Sequence, residues 1–337
     1  MSNAQTRVKI NIDLNLAGHQ FGELMLPWSD NSIPLGYHPT PLISIKNGDG
    51  KKILIIGGTH GDEFEGPSAI MRIARALELD KMNGHIILIP ALTFAAVQKS
   101  SRTNPLDNVN MNRAFPGNPN GTPTEMLAHF LESELIPSCD AVIDLHSGGK
   151  ASFFEPCALA TSSKNKALFR SNLNLAEAFG IPLIWVLGKN NDDRSLNSAA
   201  ERANVAMMAA ELGGGGGVSP EITNIAETGL INILNYLNIL KTKSFVTKNK
   251  IKKIELSNPS ASIYAPSKGL FDRAVKAGQS VEVGQTAGWF HYLLEPNRPS
   301  FELKFKYNGF ILAHTNRGIV EKGEMLALVA NDILPND

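Results

Sequence analysis

Short apolar runs alternate with amphipathic segments through the first two thirds of the chain. The runs at 53–56, 86–89, 141–145, 183–187 and 205–212 have the length of strands buried on both faces of a sheet. The apolar spacing at 68–79 and 167–179 predicts helices. A capping box of Thr122 and Glu125 around Pro123 predicts a helix over 122–136, and Pro220 opens another to about Leu240.

Strands that alternate with helices predict an α/β fold: a mixed, mainly parallel sheet with helices on both faces. Near residue 245 the pattern changes. Residues 241–253 are rich in lysine and predict a linker or a surface crossing. Two glycine-valine segments at 278–285 and 318–324 suggest a repeated β-structure. We predict a large first domain over 1–245, with its motifs in 50–240, and a small β-barrel-like domain over 246–337. The weak strand character of 8–16 is not placed by the pattern.

Composition narrows the classes of protein. Lys and Arg (32) balance Asp and Glu (32), which disfavours a nucleic-acid binder and a polybasic membrane surface. The sequence shows no apolar run of membrane-spanning length and no signal-peptide pattern. Two cysteines, Cys139 and Cys157, predict reduced thiols rather than a disulfide framework. We expect a cytoplasmic protein with no nucleic-acid or membrane partner, and a homo-oligomer is left open.

Three potential metal ligands follow two of the predicted strands. His60 and Glu63 lie in the turn after one strand, and His146 follows another directly. Imidazole nitrogens and carboxylate oxygens are ordinary zinc ligands, and catalytic zinc sites use three protein ligands plus water. The alternative is that both histidines are core or capping side chains. Their place at two strand ends beside glycines favours a metal site. Asp144 either orients a ligand histidine or makes a surface hydrogen bond.

Glu211 ends the apolar run at 205–210 and precedes five glycines. A carboxylate in such a position is costly unless it is paired or functional. It could take a proton from a metal-bound water and pass it to a leaving amine, and the alternative is a structural salt bridge.

A polar loop supplies candidate substrate-binding residues. The arginine fork of Arg113 fits a carboxylate, and Asn112 adds a donor. Arg102 could face a developing oxyanion. The alternatives are an ordinary loop for the Asn–Arg pair and a solvated surface arginine for Arg102.

Four motifs together resemble the succinylglutamate desuccinylase/aspartoacylase family of the zinc carboxypeptidase-like superfamily. They are Gly57-Gly58-Thr59-His60-Gly61-Asp62-Glu63, Asn112-Arg113, Asp144-Leu145-His146-Ser147-Gly148-Gly149 and Glu211-Leu212-Gly213-Gly214. The similarity runs in order from about residue 50 to 240. Within the family, the chain looks most like the deacetylases of N-acetyl-diaminobutyrate.

The resemblance implies that His60, Glu63 and His146 bind one zinc ion per chain. Glu211 would be the general base and then the acid, Arg113 with Asn112 would hold the substrate carboxylate, and Arg102 would be the electrophilic arginine. The implied activity is the metal-dependent hydrolysis of a linear, non-peptide amide in a small N-acylated amino acid.

The substrate is not fixed by these motifs. Asp192 and Asp193 could meet a cationic substrate amine, as in diaminobutyrate, or form a solvated loop. The alternatives to the deacylase are a zinc carboxypeptidase that acts on peptides, an inactive metal-bound module that binds a ligand, and a structural protein that assembles through its β-domain.

Overall fold

The computed structural model of the protein describes residues 5–188, 191–241 and 251–333. The helices are α1 (Glu65–Ala76), α2 (Phe94–Lys99), α3 (Pro123–Phe130), α4 (Lys166–Phe179), α5 (Leu196–Arg202) and α6 (Pro220–Tyr236). The strands are β1 (Lys9–Ile10), β2 (Gly18–Leu26), β3 (His38–Asn47), β4 (Lys52–Gly57), β5 (Gly84–Ile89), β6 (Ala141–His146), β7 (Ser152–Phe154), β8 (Cys157–Thr161), β9 (Leu183–Leu187), β10 (Ala206–Glu211), β11 (Lys252–Glu255), β12 (Ile263–Tyr264), β13 (Gly269–Arg273), β14 (Ser280–Val281), β15 (Thr286–His291), β16 (Phe301–Lys304), β17 (Gly309–Thr315), β18 (Ile319–Val320) and β19 (Met325–Asp332).

One long mixed sheet runs through the molecule in the order β1-β2-β3-β5-β4-β6-β10-β8-β9-β11-β19-β17-β14. Its centre, β5-β4-β6-β10, is parallel, so the carboxyl ends of these four strands meet at one edge of the sheet. The mixed α/β fold confirms the predicted fold class. Helix α6 contacts both α1 and α4, and α4 and α5 both pack on β10.

The apolar runs at 53–56, 86–89 and 141–145 form the core because their side chains are all enclosed by neighbouring strands and helices. Trp185, Val186 and Leu187 of β9 are only partly buried. Ile53, Ile55 and Ile56 of β4 are 0% exposed. Fully burying such a side chain stabilises the fold by about 1.5–3 kcal/mol. Cys139 and Cys157 are both free and buried, as expected of reduced thiols. In the described chain, no helix has the length and apolarity that a membrane crossing requires.

Several element boundaries differ from the sequence prediction. Helix α1 begins and ends three residues before the predicted 68–79, and α6 ends at Tyr236 rather than near Leu240. The predicted capping box of Thr122 and Glu125 is present. After Phe130 the helix widens into a π turn over Leu131–Leu135 and then narrows into a 3₁₀ turn over Ile136–Ser138. Of the segment 8–16, the two residues of β1 form a strand.

The lysine-rich segment ends in a strand. Residues 242–250, which include the predicted domain boundary at 245/246, lie outside the described residues. Lys252 and Lys253 belong to β11, which pairs in parallel with β9 and antiparallel with β19. The prediction of a linker over 241–253 is therefore wrong at its end. The sheet of the first part continues without a break into the strands that follow.

The strands after residue 250 enclose a second apolar cluster, which includes Phe271, Phe290 and Phe305. A separate antiparallel sheet forms in the order β16-β15-β13-β18. The two glycine-valine segments fold alike. Each forms a two-residue strand and then a turn in which the backbone N–H of a glutamate, Glu282 or Glu321, donates to the side chain three residues later.

Candidate active site

Two neighbouring parallel strands bring the predicted metal ligands to one edge of the sheet. His60 and Glu63 follow β4, and His146 is the last residue of β6. The turn that carries His60 is packed tightly, because a Cβ at Gly61 would lie 2.0 Å from the backbone carbon of Ala96. A glycine is therefore required for this turn to reach its place.

The three side chains converge on one point. His60 Nδ1 lies 2.7 Å from Glu63 Oε1, and His146 Nδ1 lies 2.9 Å from Glu63 Oε2. One potential ligand atom from each residue lies within 4.8 Å of the others, and all three residues are buried. Two imidazole nitrogens and a carboxylate that face one another are a donor set that suits zinc. The described chain thus contains a buried group that could hold a metal ion.

The outward nitrogen of each histidine has an oxygen partner. His146 Nε2 lies 2.7 Å from Asp144 Oδ2, and Thr59 Oγ1 donates to Asp144 Oδ1 at 2.8 Å. His60 Nε2 lies 3.1 Å from Asn110 Oδ1. Such partners fix the ring orientation and leave the other nitrogen free for a metal. Asp144 is buried and contacts His146, so the predicted alternative of a surface hydrogen bond is wrong, and the orientation of a ligand histidine stays a prediction. The contact of Asn110 was not predicted.

Opposite charges dominate the electrostatics of this group. Burial would raise the pKa of Glu63, but the neighbouring His60 and His146 hold it well below its usual value. Burial likewise opposes the charged form of His146, yet Asp144 and Glu63 raise its pKa well above the ordinary value. A cation at this position is therefore favoured by the surrounding carboxylates.

Glu211 ends β10, the next strand in the sheet, and lies beside His146 in the parallel pairing. Its Oε2 atom is buried and has no hydrogen-bond partner among the described residues. Burial and the charge of Glu63 raise the pKa of Glu211 to about 8, although His146 and Arg102 act in the opposite direction. A carboxyl group with a pKa near neutrality can both accept and donate a proton.

Arg102 reaches the same group from the segment after α2. Its Nη1 lies 3.5 Å from Glu63 Oε1 and 3.5 Å from His60 Nδ1, and its side chain is 57% exposed. An arginine at the mouth of the site can approach an oxygen atom of a bound substrate.

Asn112 and Arg113 line the same cavity as the potential metal ligands. Asn112 Nδ2 lies 3.4 Å from His146 Nε2, while its Oδ1 accepts a hydrogen bond from the Leu196 backbone. Arg113 Nη1 donates to the backbone oxygen of Asn112 at 2.6 Å, and Arg113 Nε lies 3.0 Å from Asp192 Oδ2. Asn112 and Arg113 are thus fixed in position by hydrogen bonds.

Asp192 is shared by two arginines. Arg194 donates to both of its oxygens, at 3.0 and 2.9 Å, and Arg113 binds one of them. Arg194, with Arg113, lowers the pKa of Asp192 to about 2. Because both oxygens are engaged, Asp192 is a poor partner for a substrate amine. Asp193 beside it is exposed.

All seven predicted site residues line one cavity of about 570 Å³, a volume that suits a small molecule. Its wall also includes apolar and polar residues that were not predicted: Phe154, Leu159, Trp185, Leu187, Asn191, Ser195 and Asn197. A larger cavity of about 840 Å³ adjoins it at Trp185, Leu187 and Asn191, but it contains none of the predicted site residues. The chemically equipped cavity is therefore the smaller one.

The chain is similar to known proteins over most of its length. Residues 49–237 match the model of the succinylglutamate desuccinylase/aspartoacylase catalytic domain. The N-alpha-acetyl-L-2,4-diaminobutyric acid deacetylase of Halomonas elongata is 31% identical over 96% of this chain and 94% of its own. The crystal structure of a succinylglutamate desuccinylase/aspartoacylase from Rhodobacter sphaeroides has a TM-score of 0.91 at 32% identity, over 97% of this chain and 100% of that one.

A second solved structure is the product-bound ectoine utilization protein EutE (DoeB) from Ruegeria pomeroyi. It has a TM-score of 0.93 at 30% identity and covers 97% of this chain and 99% of its own. The fold and the family match both extend over the segments that carry the cavity. The chain belongs to the succinylglutamate desuccinylase/aspartoacylase family.

Proposed function

We propose that this protein hydrolyses the amide bond of a small N-acylated amino acid, with zinc held by His60, Glu63 and His146. The observation that carries the proposal is the convergence of these three buried ligand residues beside Glu211, whose buried Oε2 has no partner among the described residues. A metal-ligand set next to a proton-transfer group is the arrangement by which metal-dependent enzymes hydrolyse amides.

Zinc in this position would polarise the substrate carbonyl and lower the pKa of a bound water to roughly 7. Glu211 is the proton carrier of the proposed reaction. Its carboxylate accepts the proton of the attacking water and then, as a carboxylic acid, donates it to the departing amine nitrogen. The pKa of about 8 in the metal-free protein reflects burial. A cation beside Glu211 would lower this pKa toward the range of a base at neutral pH.

The arginines have separate roles in the proposal. Arg113 binds the substrate carboxylate, because Asp192 and the Asn112 carbonyl already fix the plane of its guanidinium group. Arg102, close to Glu63 and His60, donates to the carbonyl oxygen as negative charge develops on it. Asp144 and Asn110 orient the two ligand histidines.

An N-acetylated diaminobutyrate is the substrate we propose first, because a relative with 31% identity over 96% of this chain carries the name of that deacetylase. The pocket wall supports a small substrate. Ser152 and Phe154 of β7 line the cavity, and β17 pairs with β7. A cytoplasmic location stays a prediction, and homo-oligomerisation stays an open alternative.

The test is amine release from N-acyl amino acids and from short peptides, with zinc-loaded protein and after chelation. We expect zinc-dependent release from one N-acyl amino acid. Release from peptides alone would replace the deacylase by a carboxypeptidase. No release from any of these substrates by zinc-loaded protein would overturn the proposal and leave a metal-bound module that binds a ligand.

A further inference from the structure

Asp62 is a buried carboxylate of the cavity with one unused oxygen. It is 8% exposed and lines the same cavity as the proposed zinc ligands. Its Oδ2 accepts a hydrogen bond from the backbone N–H of Lys150 at 2.9 Å. Its Oδ1 is buried and has no hydrogen-bond partner among the described residues. A buried acceptor of this kind is normally satisfied by a donor, and here the described residues supply none.

The other carboxylates that line the described cavity already have a role or a partner. Glu63 faces two histidines, and Asp192 is bound by two arginines. Glu211 is the proposed proton carrier. The ammonium group of Lys150 donates to the backbone oxygen of Ser100 at 2.7 Å. Asp62 is thus the described lining carboxylate that is left to accept from a substrate group.

Close packing fixes the position of this carboxylate. Gly149 has a φ of +54°, and a Cβ at this position would lie 2.4 Å from Asp62 Oδ2. The backbone that follows His146 therefore lies directly against Asp62. A carboxylate held in this way meets a ligand without first losing conformational freedom.

We propose that Asp62 determines substrate specificity by binding a primary ammonium group of the substrate through Oδ1. The inference rests on the proposed function. A buried carboxylate is stabilised most by a positively charged donor, because a charge-assisted hydrogen bond compensates for its lost hydration. Arg113 binds the substrate carboxylate at another part of the cavity, where Asp192 and Asn112 hold it. The substrate would then carry a carboxylate and a free ammonium group, in addition to the nitrogen of the amide bond that is cut.

Two parts of the substrate could carry this ammonium group: the amino-acid side chain, as in diaminobutyrate, or an aminoacyl group. The variant Asp62→Asn separates the roles of the two oxygens of Asp62. Its amide oxygen can still accept from Lys150, while its NH₂ group would face the ammonium and repel it. Asp49→Asn, which changes an exposed carboxylate outside the cavity, is the matched control.

The experiment compares kcat/KM for three substrates: Nα-acetyl-2,4-diaminobutyrate, N-glycyl-2-aminobutyrate and Nα-acetyl-2-aminobutyrate, which lacks an ammonium group. In D62N we expect the preference for an ammonium-bearing substrate over Nα-acetyl-2-aminobutyrate to fall by about 10- to 100-fold. The kcat/KM of D62N for Nα-acetyl-2-aminobutyrate, and that of the D49N control for all three substrates, should stay close to wild type. The substrate that is affected shows which part carries the ammonium. An equal loss on all three, or no change in their ratios, would overturn the proposal.

Binding measurements keep this proposal separate from the proposed function. If zinc-loaded wild-type protein hydrolyses none of the three compounds, the hydrolase fails, and calorimetry with the same three compounds as ligands still tests Asp62. Preference of the wild type for a compound that carries an ammonium, lost in D62N, would support the ammonium site. Equal affinity of the wild type for all three compounds would contradict it.

Discussion

Glu211 and His146 are Cα partners in the parallel pair of β10 and β6. The register of the sheet thus places a proposed base beside a proposed metal ligand. A shift of one residue in either strand would turn one of these side chains to the opposite face. Met208 and Ala210 of β10 are fully buried, so such a shift would also force side chains of a different size into their closely packed positions.

Replacement of Glu211 by Gln should lower kcat by about 10²- to 10⁴-fold, because the amide cannot carry the proton. The zinc content should not change, since Glu211 is not among the three ligands. Steady-state kinetics and metal analysis of the purified variant measure both effects. Glu155→Gln, a change at a half-buried carboxylate outside the cavity, is the control. A variant that keeps wild-type kcat would remove Glu211 from the mechanism.

Replacement of Asp144 by Asn should weaken zinc binding by about 10- to 100-fold, because the amide orients His146 less strongly. Competition with a chelator of known affinity measures the change. Asp140→Asn is a matched control, because Asp140 precedes the start of β6 and pairs with Lys51. Equal zinc affinity of D144N and wild type would contradict the orienting role.

Replacement of Arg113 by Ala should raise KM for carboxylate substrates by about 10- to 100-fold and change kcat little, because a charge-assisted hydrogen bond is lost. The same substrates with an amide in place of the carboxylate should show a much smaller difference between the two proteins. The exposed Arg170, on α4, provides the control R170A. An unchanged KM in R113A would exclude the carboxylate clamp.

His85 should make the folded protein sensitive to acid. It is buried on β5 with Nε2 2.9 Å from Ser44 Oγ, and burial, Lys52 and Lys46 lower its pKa from 6.5 to about 4. The unfolded chain therefore binds a proton first as the pH falls. The contribution of His85 to the free energy of unfolding should be fully present above pH 6.5. It should fall by up to about 3 kcal/mol between pH 6.5 and pH 4.

Urea unfolding across this pH range measures the effect of His85. Other groups also titrate there, so the quantity to compare is the difference between wild type and His85→Gln. The exposed His19, changed to Gln, is the control. If the difference between H85Q and wild type does not depend on pH, the depressed pKa of His85 is contradicted.

The sequence predicts the centre of the site because strand ends in a parallel sheet share one edge. His60, His146 and Glu211 follow or end apolar runs that can hardly be anything but buried strands. The contact of Asn110 with His60 could not be predicted in this way. Its loop is shaped by tertiary contacts rather than by a repeating pattern, and loop conformation leaves little periodic signal.

The strand β11 could not be predicted from its own residues. Its lysines suggest a surface crossing, yet the strand lies between β9 and β19. There Lys253 forms an ion pair with Glu177, and Lys252 with Asp332. Strand formation there depends on the partner strands rather than on the local sequence. The ion pair of Arg113 with Asp192 also could not be predicted, because it joins two loops that are distant in the sequence.

The continuity of the sheet from β9 into β11 has a consequence for fragments of this protein. Residues Leu183, Ile184 and Trp185 are covered by Lys252, Lys253 and Ile254 along this edge. A chain that stops before residue 251 would leave the backbone N–H and C=O groups on the β11 side of β9 without partners. An apolar strand with such an open edge can pair with another copy of the chain. Truncation at the predicted boundary would therefore yield a species prone to aggregation rather than a smaller enzyme.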